Sequence, residues 1–346
     1  MKTRPLGRTS LDVSVFCLGS MTWGTQNTEE EGHQQIERAI EAGINFIDTA
    51  EMYPVNPVRA ETVGVTEEII GNWFEKTGRR DELILATKHS GAGSHSRDGA
   101  PITAKSIPEA VEGSLKRLKT DVIDLYQFHW PNRGSYHFRQ MWNYDPSGQN
   151  AAYTQQNMED CLGALQKMVD QGKIKHFGLS NESAWGTTKW VQHAEAGKGP
   201  RVASIQNEYS LLARYYDTDL AEACVNEDVG LLSYTTLAAG LLTGKYQKGQ
   251  IPEGSRMAIN GDLGGRKTER VFDAVDAYQT LADKYGLSLT QMSLAWARDR
   301  PGMCSVIIGA TTMDQLEEVL GAHDLELPAE LLTEIDEVHK QHPLPF

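Results

Sequence analysis

Short apolar runs alternate with amphipathic stretches along almost the whole chain. The runs cover 15–18, 44–48, 83–88, 122–129, 174–180, 202–208, 230–235 and 305–309. Runs this short, bounded by polar or turn-forming residues, predict buried strands, because a parallel strand covered on both faces has no polar side. Between them, Ile36-Ala39-Ile40, Ile107-Val111-Leu115-Leu118 and Met158-Cys161-Leu162-Leu165-Val169 recur at three- and four-residue spacing, as one buried helix face requires. Further helices are predicted over 67–76, 187–196, 220–227, 288–298 and 314–320. Eight strands with intervening helices predict one α/β domain over 1–346, a (β/α)8 or TIM barrel with long loops at the strand C-termini. The alternative is an open, doubly wound sheet.

Three polar residues close apolar runs: Asp48, Lys88 and His129, with Tyr53 just beyond the first. Strand C-termini of a parallel barrel open onto one face, so these residues can converge there and move protons. Singly, each has a plainer explanation. An Asp at a strand end is often a helix N-cap, and a lone His after an apolar run is often packed core. Lys88 is harder to dismiss, since a lysine in an apolar strand is rarely buried without a partner.

Composition narrows the field. The 346 residues are 40% apolar, enough for a large core, and no linker, repeat or low-complexity segment divides them. A formal charge of −14 argues against a nucleic-acid partner. Lys116-Arg117-Leu118-Lys119 reads as a solvated helix end. Asp12 and Ser14 interrupt the only candidate secretory segment, and nothing reaches membrane-spanning length. Cys17, Cys161, Cys224 and Cys304 lie far apart, which suits a reducing cytoplasm. After the first strand stands Gly19-Ser20-Met21-Thr22-Trp23-Gly24 where a dinucleotide-binding sheet would carry G-x-G-x-x-G, which weakens the open-sheet alternative. Gly240-Leu-Leu-Thr-Gly244-Lys245 is one residue short of a P-loop, and Tyr246 replaces its hydroxyl, so nucleotide hydrolysis is rejected. The same segment still offers backbone amides and a cation to a pyrophosphate.

Asp48-Thr-Ala-Glu-Met-Tyr53, Ala86-Thr-Lys88, Asp124-Leu-Tyr-Gln-Phe-His129, Gly178-Leu-Ser180-Asn181, Gln206-Asn207 and Ile308-Gly309-Ala310 occur in the order seen in aldo-keto reductases. From end to end the chain resembles that family, above all the branch containing potassium-channel β subunits and bacterial relatives. The resemblance implies NADPH-dependent reduction of an aldehyde or ketone, with Asp48, Tyr53, Lys88 and His129 as catalytic tetrad. It also implies that Ser180, Asn181 and Gln206 hold the nicotinamide carboxamide and that Tyr234 stacks on the ring. Thr235, Thr236, Leu237, Ala238, Ala239, Gly240, Leu241, Leu242, Thr243, Gly244 and Lys245 would wrap the pyrophosphate. Arg256, Thr311 and Gln315 would lie near the adenosine phosphate, Glu318 near the adenine, and Thr22, Trp23 and Gly309 elsewhere along the cofactor.

The implied chemistry is coherent. Hydride arriving at a carbonyl leaves alkoxide character on oxygen, so a positioned acid must protonate it. Tyr53 is the expected acid, with Lys88 drawing its pKa from ~10 toward ~7, roughly 4 kcal/mol of differential interaction. Asp48 is expected to keep Lys88 charged, and His129 to orient the carbonyl. Trp23 and Trp130 are expected to flank the substrate.

Two departures from the family pattern stand out. Pro54 follows Tyr53 where glycine is usual, and 131–157 is long and rich in aromatic residues. We read the long segment as substrate wall or as an interface with another subunit. His89 and His95 fall together in a glycine-rich loop but lack a third ligand, so no metal is expected. Two competing functions remain: an NADPH-loaded regulatory or interaction subunit, and a barrel lyase or isomerase acting on a phosphorylated metabolite.

Overall fold

The computed structural model describes all 346 residues. A hairpin of β1 (Thr3–Pro5) and β2 (Asp12–Ser14) precedes β3 (Phe16–Gly19), α1 (Glu29–Glu41), β4 (Phe46–Asp48), α2 (Val65–Thr77) and β5 (Ile84–His89). Then come α3 (Ser106–Leu118), β6 (Ile123–Phe128), α4 (Ala151–Asp170), β7 (Ile174–Ser180), α5 (Ala184–Glu195), β8 (Val202–Glu208), α6 (Leu220–Asn226) and β9 (Gly230–Tyr234). After a long loop follow α7 (Arg256–Ile259), α8 (Glu269–Lys284), α9 (Leu289–Arg298), β10 (Met303–Ile308), α10 (Met313–Leu320) and α11 (Ala329–Gln341). Strands β3 to β10 close a parallel barrel in sequence order, β10 returning to β3. All eight expected strands form, which excludes the open sheet.

Two cores result. The larger lies between strands and helices, where Phe128, Phe177 and Trp190 meet edge to face. The smaller fills the barrel: Cys17, Phe46, Ala86, Leu125, Ala203, Leu232 and Cys304, with Leu6 and Val13 from the hairpin beneath. That hairpin escaped the sequence reading because three-residue strands carry too few positions for a period to show. Gly7, at φ +53, sits where a Cβ would overlap the carbonyl of Ala203, so only glycine lets the turn lie against the barrel floor.

Local chemistry sets the ends of the elements. Thr28 and Glu31 form a reciprocal capping box on α1, and Asn150 caps α4. The cap at Asn150 shortens the expected aromatic loop, since 151–157 are already helical. Arg117 corrects the reading of 116–119 as a solvated helix end. Its Nε donates to the fully buried Glu67 of α2 at 2.7 Å, tying α3 to α2.

Candidate active site

The upper rim of β4, β5 and β6 brings three of the expected groups together. In-register pairing sets Asp48 beside Ala86 and Lys88 beside Gln127, and His129 directly follows β6. Lys88 is fully buried, and its Nζ donates to Asp48 Oδ2 at 2.5 Å and to the carbonyl of Thr49 at 2.7 Å. The other Asp48 oxygen accepts Gln206 Nε2 at 2.8 Å and Gln127 Nε2 at 3.1 Å. Both carboxylate oxygens are thus satisfied, as a buried charge requires. Tyr53, partly exposed on the loop after β4, lays its ring 4.9 Å from Lys88 Nζ and meets the His129 ring edge-on at 5.8 Å.

The electrostatics differ from expectation at one group. Burial raises the Tyr53 pKa, Lys88 lowers it and Asp48 raises it, and the net direction is upward. Desolvation outweighs the ammonium, so the expected drop toward neutrality does not occur. Burial pushes Lys88 down, but Asp48 and Tyr53 more than restore it, and it remains an ammonium. Burial and then Lys88 drive His129 well below its ordinary value, leaving a neutral imidazole whose Nδ1 has no partner.

The expected carboxamide ligands line the adjoining rim of β7 and β8, although two are largely committed within the protein. Ser180 Oγ donates to the carbonyl of Gln206 at 2.8 Å. Asn181, at φ +54, gives Nδ2 to the carbonyl of His129 at 2.8 Å and takes the Tyr234 hydroxyl on Oδ1. Gln206 keeps its Oε1 uncommitted while its Nε2 holds Asp48.

After β9 the chain turns through left-handed conformations at Thr235, Ala238, Ala239, Gly240 and Gly244, and the amides of Ala238, Gly240, Leu242 and Gly244 are used within the turn itself. The side chains of Leu241 and Leu242 are buried in the core, so that stretch can serve a pyrophosphate only through its backbone. Lys245 lies above this turn, its pKa lowered by burial against the pull of Glu318. Arg256 has no carboxylate partner, its Nε is buried without a hydrogen bond, and burial with nearby Arg266 pushes its pKa down to about 10. An orphaned guanidinium beside this turn fits a phosphate group. Farther along the rim, Thr311 bonds Gln315 through both its amide and its hydroxyl, and Asn27 links Thr22 to the Thr311 carbonyl. Glu318 receives Ser288 at 3.0 Å, and Gly309 directly follows β10 with open space around it.

Trp23 is placed elsewhere than expected. Its indole is fully buried, packs on Gly32 of α1 and donates to Gln35 Oε1 at 3.2 Å, so it presents no wall to a substrate. The missing Cβ at Gly32 is what lets α1 take the ring. Trp130 does stand at the mouth, tilted on His129 at 4.9 Å, with Phe138 edge-on at 6.1 Å. Behind it, outside the barrel, a cavity of about 280 Å³ is lined by Ile102, Phe128, Met158, Leu179 and Trp190 and does not include Tyr53 or His129. His89 ends β5 with its ring bonded to Ser106 at 2.9 Å, and is strand, not loop as expected.

Sequence reasoning missed Gln127, Glu208, Arg266 and Arg139. The first two follow from strand alternation: Gln127 is two residues before His129, and Glu208 two after Gln206, on the same barrel-facing side. The arginines lie in loops without periodicity.

The model of the aldo/keto reductase family matches residues 15–340. The chain belongs to that family. It is 41% identical over 349 residues to the protein tas of Escherichia coli strain K12, covering 100% of this chain and 99% of that protein. An uncharacterized oxidoreductase, YrpG, of Bacillus subtilis strain 168 is 31% identical over 338 residues, with 96% and 94% covered. A probable voltage-gated potassium channel subunit beta of Arabidopsis thaliana is 30% identical over 357 residues, with 99% and 98% covered. Family membership makes this aldo-keto reductase barrel an oxidoreductase, and no helix in it is long and apolar enough to cross a membrane.

Proposed function

We propose that the protein reduces an aldehyde or ketone to the alcohol with NADPH, Tyr53 acting as the general acid. The carrying observation is Lys88, fully buried yet held as an ammonium by Asp48, 4.9 Å from the Tyr53 ring. Burying that ion pair costs solvation that packing alone would not require, so a chemical role supports its presence. NADPH, when bound, supplies the hydride. Tyr53 gives its phenolic proton to the oxygen as negative charge develops, and Lys88 stabilises the phenolate left behind. His129, neutral, supplies a second hydrogen bond to the same oxygen and fixes its direction. Gln206 Oε1, together with Ser180 and Asn181, would bind the carboxamide, the 235–245 turn the pyrophosphate, and Arg256 the phosphate that separates NADPH from NADH. Four buried, unpaired cysteines support a reducing cytoplasmic setting.

Replacing Tyr53 by Phe tests the assignment. NADPH binding, followed by fluorescence, should persist while turnover of a nitrobenzaldehyde falls at least ~100-fold. Unchanged turnover would refute the acid. A second reading, a cofactor-loaded interaction subunit, is favoured by the similarity to a potassium channel subunit beta and by the exposed aromatic rings Phe138 and Trp142. It predicts that no carbonyl oxidises bound NADPH and that a stable protein partner copurifies.

A further inference from the structure

The mouth holds a second charge cluster that the proton chemistry leaves unused. Glu208 is the last residue of β8, 1% exposed, about 7 Å along the strand from Gln206. Its Oε1 receives Arg266 Nε at 2.7 Å and its Oε2 receives Arg139 Nη1 at 3.1 Å. Arg256 stands close enough to feel all three. Two guanidinium groups thus bind a single carboxylate with Arg256 as a third nearby, and the neighbouring His137 is neutral, its pKa pushed down to about 4 by burial. In a chain of net charge −14 this is a local surplus of positive charge. One arginine, Arg256, is assigned to the cofactor phosphate, and one surplus cation remains.

Arg139 lies beside the mouth with its Nε buried and without a hydrogen-bond partner. Phe138 and Arg139 are consecutive left-handed residues, at φ +56 and +63, a conformation that L residues rarely adopt. The turn sets Phe138 against Trp130, which lies against His129, and sends Arg139 to Glu208. Across from it, Gly264 and Gly265, both left-handed, lie where any Cβ would come within 3.4 to 3.8 Å of the Arg139 side chain. Arg139 Nη1 is used by Glu208, and no side chain or carbonyl accepts from Nη2. Tyr234 connects the two centres: it pairs in register with Glu208, and its hydroxyl donates to Asn181, which holds the His129 carbonyl.

We infer that Arg139, held by Glu208 beside Arg266, is a specificity-determining residue that selects carbonyl substrates carrying a carboxylate at the end remote from the reacting carbon. The inference rests on the carbonyl-reductase reading and deepens it by naming a substrate class. A planar aromatic body suits the span, because the Trp130 and Phe138 rings line the path from His129 to Arg139.

The test compares 4-carboxybenzaldehyde with its neutral methyl ester, using the full chain and NADPH. The native protein should favour the acid in kcat/KM by at least ~10-fold, the scale of one charge-assisted hydrogen bond, and added salt should shrink the preference. Arg139→Met should abolish it through KM for the acid, leaving the ester and NADPH affinity unchanged, and Arg139→Lys should restore part. Equal kcat/KM for acid and ester in the native protein overturns the inference. So does an equal loss on both in Arg139→Met, which would make Arg139 a packing residue, or a loss of NADPH affinity, which would assign it to the cofactor. Reduction of neither compound sinks the carbonyl-reductase reading itself, whereas failure of the inference alone leaves the ester reduced without any gain from the carboxylate.

Discussion

Asn181 Nδ2 donates to the main-chain carbonyl of His129 at 2.8 Å, so the end of β7 fixes the peptide that carries the neighbouring imidazole. The same Asn181 accepts the Tyr234 hydroxyl. One amide therefore positions a group expected to touch the substrate and a ring expected to touch the cofactor. Replacing Asn181 with Ala should lower kcat/KM at least ~10-fold, while Asn181→Gly, which relieves the left-handed backbone at φ +54, should recover stability but not activity. Thermal melting alongside steady-state kinetics separates the two effects.

The pH profile of reduction follows from two groups. Tyr53 acts in its protonated form, and its pKa lies above the ordinary phenol value because of burial, so activity should be lost only as pH rises beyond ~10. His129 stays neutral through the physiological range because burial lowers its pKa well below the usual value. No acid limb near pH 6.5 should appear in kcat. A limb there that disappears in His129→Gln would contradict the neutral imidazole.

Stability should fall on mild acidification. Burial lowers His89 and His137 to about 4 each, so between that value and ~6.5 the unfolded chain binds protons that the folded chain refuses. The folded state is therefore favoured fully above ~6.5 and loses on the order of 3 kcal/mol per histidine as pH falls toward 4. Urea unfolding at pH 7.5 and pH 4.5 measures the drop, and His89→Gln should shrink it by the share of one buried histidine.

Two glycines in helices should respond in opposite directions. Gly71 of α2 lies where a Cβ would overlap the Arg117 carbonyl, so Gly71→Ala should destabilise by about 2–3 kcal/mol despite the better helix propensity of alanine. Gly163 of α4 has nothing within 4 Å of its would-be Cβ, and Gly163→Ala should stabilise by about 0.5–1 kcal/mol. Denaturant midpoints of both variants check the pair.

Breaking the α2–α3 ion pair is a further stability test. Glu67 is fully buried between Thr87 and Arg117, and desolvation raises its pKa even with the guanidinium beside it. Arg117→Ala strands that carboxylate and should cost about 3–5 kcal/mol, whereas exposed Lys116→Ala should cost almost nothing. Equal effects in chemical denaturation would place Arg117 back among solvated surface residues.

The barrel was legible because each strand is a continuous apolar run and the polar residues closing those runs lie at one end by construction. Asp48, Lys88 and His129 could be named from that alone, and Tyr53 from the motif around it. Other features depend on three-dimensional relationships that no local pattern encodes. Trp23 reads as a mouth residue until Gly32 is seen to leave room for it against α1, and Arg117 reads as surface until Glu67 is placed beneath it. Desolvation of Tyr53 is likewise a property of the finished recess, which is why the phenol shifts opposite to the direction that Lys88 alone would impose. Helices α8 and α11 and the β1–β2 hairpin went unmarked, the hairpin because its strands are three residues long.

The hairpin at the barrel floor has one more implication. With Leu6 and Val13 stoppering the far end, the interior has no back door, and whatever reaches Tyr53 must arrive and depart at the rim where Trp130 and Phe138 stand. Traffic is then single-file: a product lingering at that threshold would obstruct its successor, and the threshold residues would govern throughput as well as choice.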